Sequence, residues 1–165
     1  MTNIYFDFED GNGPVPAHQH PNGGGWVADT AKVYETSYVG PDAQVYGDAT
    51  VSGNARVYGN ATVSGDAWVY GYARVYGYAR VYGDAIVSGN AWVYGYARVY
   101  GDAIVYGDAW VGGNARVSDD ARVSDDARVY GDDQVYSYTK VQKETKKDRI
   151  FINGKWYVEE VEEFE

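Results

Sequence analysis

The sequence predicts an all-β solenoid wound from six-residue units, and three observations carry that prediction. Twenty valines recur at every sixth residue without a slip, from Val27 and Val33 through to Val135 and Val141. A period held over that length requires one repeating structural unit. Alanine stands two residues before most of these valines, as at Ala43, Ala49 and Ala67, so in an extended segment both point to the same side of the chain. Glycine stands two residues after many of them, as at Gly47, Gly53, Gly59 and Gly65, followed by Asp, Asn or Tyr. Gly takes positive φ freely, and Asn and Asp tolerate it best among the rest, so each unit is a short strand plus a corner. A helix does not fit, because a six-residue interval misses the period of about 3.6 and Gly would interrupt every second turn.

Residues 1–26 stand outside the period. Ile4 to Phe8 alternates like a strand, Gly11 to Pro16 is a turn-rich loop, and Gly23 to Gly25 leads into the first coil at Trp26–Val27. The repeats then occupy 27–141. Residues 142–165 break the period again, with a charged linker from Lys143 to Arg149 and a hairpin signal from Ile150 to Val158. Asn153–Gly154 supplies the type I′ turn of that hairpin. End coils of a solenoid expose unpaired strand edges, so both terminal segments are expected to cap it. Contact between copies is the alternative use of those ends.

The unit Val45-Tyr46-Gly47-Asp48-Ala49, with its many copies, resembles the hexapeptide-repeat proteins, in which an aliphatic residue is followed four positions later by a small one. The resemblance covers about 70% of the chain. It implies a left-handed parallel β-helix with three hexapeptides in each triangular coil. About six coils follow, stacked at roughly 4.8 Å in a rod about 30 Å long. One departure stands out. The family often places Gly directly after the aliphatic residue, whereas here Tyr or Ser follows Val and Gly comes one later, so the corners are expected to differ in detail.

Three hexapeptides per coil bring residues 18 apart into register, which turns the sequence into a surface map. One face stacks Trp68, Ile86 and Ile104 beside Tyr70 and Tyr106. Such an apolar stripe on an outer face marks an interface, here expected between copies of the chain as a trimer or dimer. Another face stacks Arg56 and Arg74, then Trp92 and Trp110, beside Tyr58, Tyr76 and Tyr94. The remaining one stacks Arg80, Arg98 and Arg116 beside Tyr82 and Tyr100. Aromatic ladders suit an exposed parallel sheet for structural reasons alone. Like charges at strand spacing do not, unless acidic neighbours or a bound anion compensate, so the arginine column is either a solvated face balanced by aspartate or an anion-binding surface with stacking rings. One corner stacks Asp48, Asp66, Asp84, Asp102 and Asp120. Those carboxylates either stabilise their turns or draw a line of negative charge.

Net charge is −10 and there is no cysteine. The charge argues against direct binding of nucleic acid or of an anionic membrane. The absence of thiols suits a reducing cytoplasm, and no leader or membrane-spanning run is apparent, so a cytoplasmic protein is expected. The hexapeptide family includes acyltransferases and carbonic anhydrases, which typically use histidine as base or as zinc ligand. This chain has His18 and His20 alone, both before the first coil, and no inserted loop. Metal binding by His18 and His20 with Asp7 or Glu9 is weak as a pattern. No catalytic residue, metal or cofactor is therefore assigned. The segments Asp10 to Pro14 and Pro21 to Trp26, ahead of near-perfect repeats, resemble uncharacterised hexapeptide proteins of bacteriophages and bacteria. The expectation is a non-catalytic scaffold, a phage accessory protein that binds or inhibits a host factor in the host cytoplasm through Trp68, Ile86, Ile104, Trp92, Trp110, Tyr76 and Tyr94. Two rival functions are an acidic nucleic-acid mimic acting through the aspartate column and a sponge for a small anionic nucleotide held by the arginine column.

Overall fold

A computed structural model describes residues 4–136 and 139–141, with the backbone of Arg149–Ile152 and Lys155–Val158. The repeats build a three-sided parallel β-solenoid of about six coils. Each hexapeptide contributes a strand, most of them of two residues, ending on its valine. The strands stack into three parallel sheets, one per face, and every register is 18 residues. The first face carries Trp26, Gln44, Thr62, Arg80, Arg98, Arg116 and Gln134 outward. Lys32, Thr50, Trp68, Ile86, Ile104, Arg122 and Lys140 line the second. On the third are Tyr38, Arg56, Arg74, Trp92, Trp110 and Arg128.

The expected interior is present. The solenoid valines from Val39 to Val123 and the alanines from Ala43 to Ala127 have no exposed surface. Their pairing follows from geometry: two residues apart on a strand, both side chains enter the core, and alanine fits where the coil narrows toward its corner. Backbone groups between coils are matched in turn, as where the Trp68 N–H donates to Ala85 at 2.9 Å and the Tyr70 N–H donates to Val87 at 3.0 Å.

From the second coil onward each described corner turns on a residue with positive φ two positions after valine, whereas Asp29, Glu35 and Pro41 in the first coil do not. The glycines from Gly47 to Gly113 adopt φ of 65 to 76° there. Asp119 and Asp125, which replace Gly in the later coils, hold φ of 54° and 57°. Corner glycines also stack closely: a Cβ on Gly65 would lie 2.9 Å from the Gly83 nitrogen.

The N-terminal segment differs from expectation at both of its elements. Strand β1 is Tyr5–Phe6 and strand β2 is Val15–Gln19, so Val15 and Pro16 belong to a strand and not to the loop, and Asp7–Phe8 falls outside the first strand. The reason is a turn at Glu9, where φ is 57° and the Asp7 carboxylate accepts the Glu9 N–H at 2.8 Å. That turn swings Phe8 inward against Ala17 and Ala28. Strand β2 pairs antiparallel with β3 (Trp26–Ala28), the first strand of the solenoid, and β1 pairs with β2. The segment thus extends the first face beyond the first coil. His20 is buried in the turn that follows, its backbone N–H donating to Gly25 at 2.8 Å. At the other end, Arg149–Ile152 and Lys155–Val158 pair as an antiparallel hairpin. Asn153–Gly154 and the linker 142–148 lie outside the described residues. No helix among the described residues is long and apolar enough to cross a membrane.

Candidate functional site

Every surface column drawn from the 18-residue spacing is assembled as expected, but the columns differ in how well the chain itself satisfies them. On the second face Trp68 pairs in register with Ile86, and Ile86 with Ile104. Trp68 is 53% exposed. It stacks on no ring and lies under no cation among the described residues. Ile86 and Ile104 are half-buried, so the three form one uncovered apolar stripe. Tyr70, 40% exposed, and Tyr106 stand beside it.

The third face is self-satisfied by contrast. Trp92 and Trp110 stack at 4.9 Å with planes 1° apart. Arg74 lies over Trp92 at 4.8 Å and Arg128 over Trp110 at 5.2 Å, so a cation closes each end of the pair. Tyr58, Tyr76 and Tyr94 form a parallel stack beside them, at 5.0 Å and 5.5 Å. Tyr94 leans across Gly112, where any side chain would collide with its ring, and meets Trp110 edge-on. Burial, with Tyr58 and Tyr94 close by, raises the Tyr76 phenol above its ordinary value.

The first face is the unbalanced one. Arg80, Arg98 and Arg116 follow one another in register. Among the described residues none of the three has an acidic partner within ion-pair distance or a ring beneath it. Tyr82 and Tyr100 stack at 5.0 Å beside the arginines, and burial, with Tyr100 adjacent, raises the Tyr82 phenol. Where this face meets the N-terminal segment it sinks into an open basin of about 460 Å³. Thr62 and Ser64 line it with Arg80, Arg98 and Tyr82, and Phe8 and Tyr46 stand toward the N-terminal end. Sequence reasoning named the arginines and Tyr82 but not Ser64, Tyr46 or Phe8. The break at Ser64 in a tyrosine column is visible at the 18-residue spacing. The fold of Phe8 over that column is not.

Asp48, Asp66, Asp84, Asp102 and Asp120 are exposed along one corner. Among the described residues their carboxylates accept no hydrogen bond from the chain. Other corners do use such bonds, as Asn90 donating to Asp108 at 2.9 Å and Asn114 to Asp132 at 3.0 Å. Tyr78 and Tyr96 stack at 5.0 Å on the corner after the third face, a pair that the sequence analysis passed over.

The two histidines are engaged in the N-terminal segment. His18 Nδ1 contacts the Asp29 carboxylate at 2.8 Å. His20 Nδ1 lies 3.2 Å from the Asn22 carbonyl, and its buried Nε2 has no partner. No group of three or more His, Cys, Asp or Glu side chains among the described residues is arranged to hold a metal ion.

Among curated proteins no sequence matches this chain. The YdcK beta solenoid repeat matches it at residues 43–57, 55–71, 73–88, 79–95, 97–113, 115–131 and 121–137, more than half of its length. These matches fall on the three-sided stack, with its valine and alanine interior and left-handed corner residues, and the chain belongs to the YdcK beta-solenoid repeat family.

Proposed function

We propose that the chain is a non-catalytic interaction scaffold that docks a protein partner on its second face, with Trp68, Ile86 and Ile104 as the anchor. One observation carries this: a half-exposed tryptophan in register with two isoleucines, with no ring or cation of the described residues over it. Tryptophan in such a stripe is costly to leave in water and contributes heavily at interfaces. The aspartate corner borders the same face two residues before the stripe, as in Asp66-Ala67-Trp68 and Asp84-Ala85-Ile86. The surface that covers it is therefore an apolar ridge edged with lysine or arginine. The Trp92–Trp110 ladder, with Tyr76 and Tyr94, is a second and stiffer contact surface.

A non-catalytic role is supported by the engagement of both histidines outside the repeats. The resemblance of the N-terminal segment and the hexapeptide spacing to phage and bacterial proteins supports an accessory protein whose partner is a factor of the host cytoplasm. Related solenoids commonly form trimers, so a second copy is the competing occupant of the stripe.

The test is capture from host lysate on the immobilised full chain, with light scattering of the free protein. The expected result is a captured protein that persists at about 0.5 M salt, is lost with Trp68→Asp, and survives Asp66→Asn with Asp84→Asn in weakened, less salt-sensitive form. Capture indifferent to Trp68→Asp would remove the proposal. A free oligomer that Trp68→Asp dissociates, with no other protein bound, would assign the stripe to a second copy. Turnover in acetyl-transfer or CO2-hydration assays would overturn the non-catalytic role.

A further inference from the structure

The outer ladder of the first face runs Ala28, Tyr46, Ser64, Tyr82, Tyr100, Ser118 and Tyr136 along the coil axis. Two of its three small positions, Ala28 and Ser64, are treated differently. At Ala28 the chain supplies a ring of its own: Phe8 buries against Ala28 and Ala17, with its centroid 4.9 Å from Tyr46. At Ser64 no ring of the described residues stacks between Tyr46 and Tyr82. These two tyrosines are two coils apart, about 10 Å at ordinary strand spacing. Neighbouring rings on this face stack at 5.0 Å, as Tyr82 and Tyr100 do. One flat ring above Ser64 would therefore stand at stacking distance from both.

The surroundings of that gap define what the ring carries. Arg80 and Arg98 line the same basin, adjacent in register, and their like charges at strand spacing repel. Neither has a carboxylate within ion-pair distance among the described residues, so an anion between them relieves their repulsion. Glu9 and Asp42 also line the basin and offer acceptors to ring N–H groups. The volume of about 460 Å³ lies within the range of small-ligand sites, roughly 300–1,000 Å³. We infer that this basin binds a small nucleotide, its base inserted between Tyr46 and Tyr82 over Ser64 and its phosphate on Arg80 and Arg98. The site lies on a different face from the Trp68 stripe and stands or falls independently of the partner proposed above.

Titration calorimetry on the full chain with the four ribonucleoside 5′-monophosphates tests this. At least one is expected to bind with one site and a Kd below about 1 mM. Its nucleoside and inorganic phosphate are each expected to bind at least about tenfold more weakly, since stacking and charge contribute separately. Ser64→Tyr gives the gap the residue type of its neighbours and is expected to weaken binding at least tenfold with the melting temperature kept. Thr62→Tyr obstructs the same basin from the adjoining column and is expected to do likewise, while Ser64→Ala leaves the affinity within about threefold. Arg80→Gln with Arg98→Gln is expected to lose at least tenfold. No saturable binding of any of the four monophosphates would overturn the inference. Inorganic phosphate binding as tightly as the monophosphate would do the same, as would a folded Ser64→Tyr chain that binds like the parent.

Discussion

Gly65 combines the two constraints of a corner residue. It holds φ at 68°, and a Cβ there would lie 2.9 Å from the Gly83 nitrogen and 3.1 Å from its carbonyl oxygen. Left-handed backbone costs an ordinary residue about 1–2 kcal/mol, β-branched residues most, and Asp and Asn least. Asp119 and Asp125 occupy the same position of the repeat further along and hold the left-handed conformation without glycine. We predict that Gly65→Val costs about 2 kcal/mol or more, and that Gly65→Asp is the milder change. Thermal denaturation should rank the parent above Gly65→Asp and Gly65→Asp above Gly65→Val. An equal effect of the two would mean that contact and not φ limits the corner. Single positions of this kind were legible in the sequence because the period names them: Val45, Ala49 and Gly47 each have many copies. Phe8 was not legible. It has no copy, and its place over Ala28 depends on a turn at Glu9 that alternation alone does not announce.

At the scale of the element, the tyrosine ladders and the N-terminal strands behave differently. Tyr76 and Tyr82 have raised phenol values in the folded chain, first through burial and then through stacked tyrosines. A raised value means that the folded state holds the proton longer than the unfolded one. The stability involved is therefore complete below the ordinary value of 10.0 and is lost as pH rises through the folded-state value. Melting temperature should fall as pH rises above about 10, and Tyr76→Phe with Tyr82→Phe should shrink that fall. An identical alkaline loss in the double variant would contradict the assignment. The N-terminal strands hold to the first coil through strand pairing and an apolar cluster around Phe8. Phe8→Ala removes about 3 kcal/mol of packing, and the segment is expected to open separately from the stack. Amide exchange should accelerate at Ala17 and Asp29, whose N–H groups bond to Ile4 and Pro16 at 2.9 Å each. It should not change at Val99 in the middle of the stack. Acceleration spread over the whole solenoid would show that the cap and the repeats unfold as one unit. The strand Val15–Gln19 escaped sequence reading because Pro14 and Pro16 mark a loop by local rules. Pairing with Trp26–Ala28 on one side and with the short Tyr5–Phe6 strand on the other decides otherwise.

In the whole molecule, core and surface follow different periods. The interior repeats every six residues, so between Ala43 and Val129 one hexapeptide can replace another without changing the buried alanine and valine. The surface repeats every 18, so removing hexapeptides rotates everything after the cut onto another face. That separation explains why the fold was plain from the sequence while the working surface was only bounded by it. Valine spacing fixes the stack, but the standing of each outer column depends on its neighbours: Trp92 has Arg74 above it, and among the described residues Trp68 has no such cover. It also supplies the most direct test that the Trp68 stripe is the functional surface. Deleting residues 73–84 removes two hexapeptides and places Arg98, then Arg116, in register after Trp68. Deleting residues 73–90 removes a full coil and places Ile104 after Trp68. Both chains keep an unbroken valine core and both termini. Capture of the partner by the two, measured side by side after each is shown to melt cooperatively, separates core from surface. The account predicts that the larger deletion retains capture and the smaller one abolishes it. Equal capture by both, or retention by the smaller deletion alone, would contradict it.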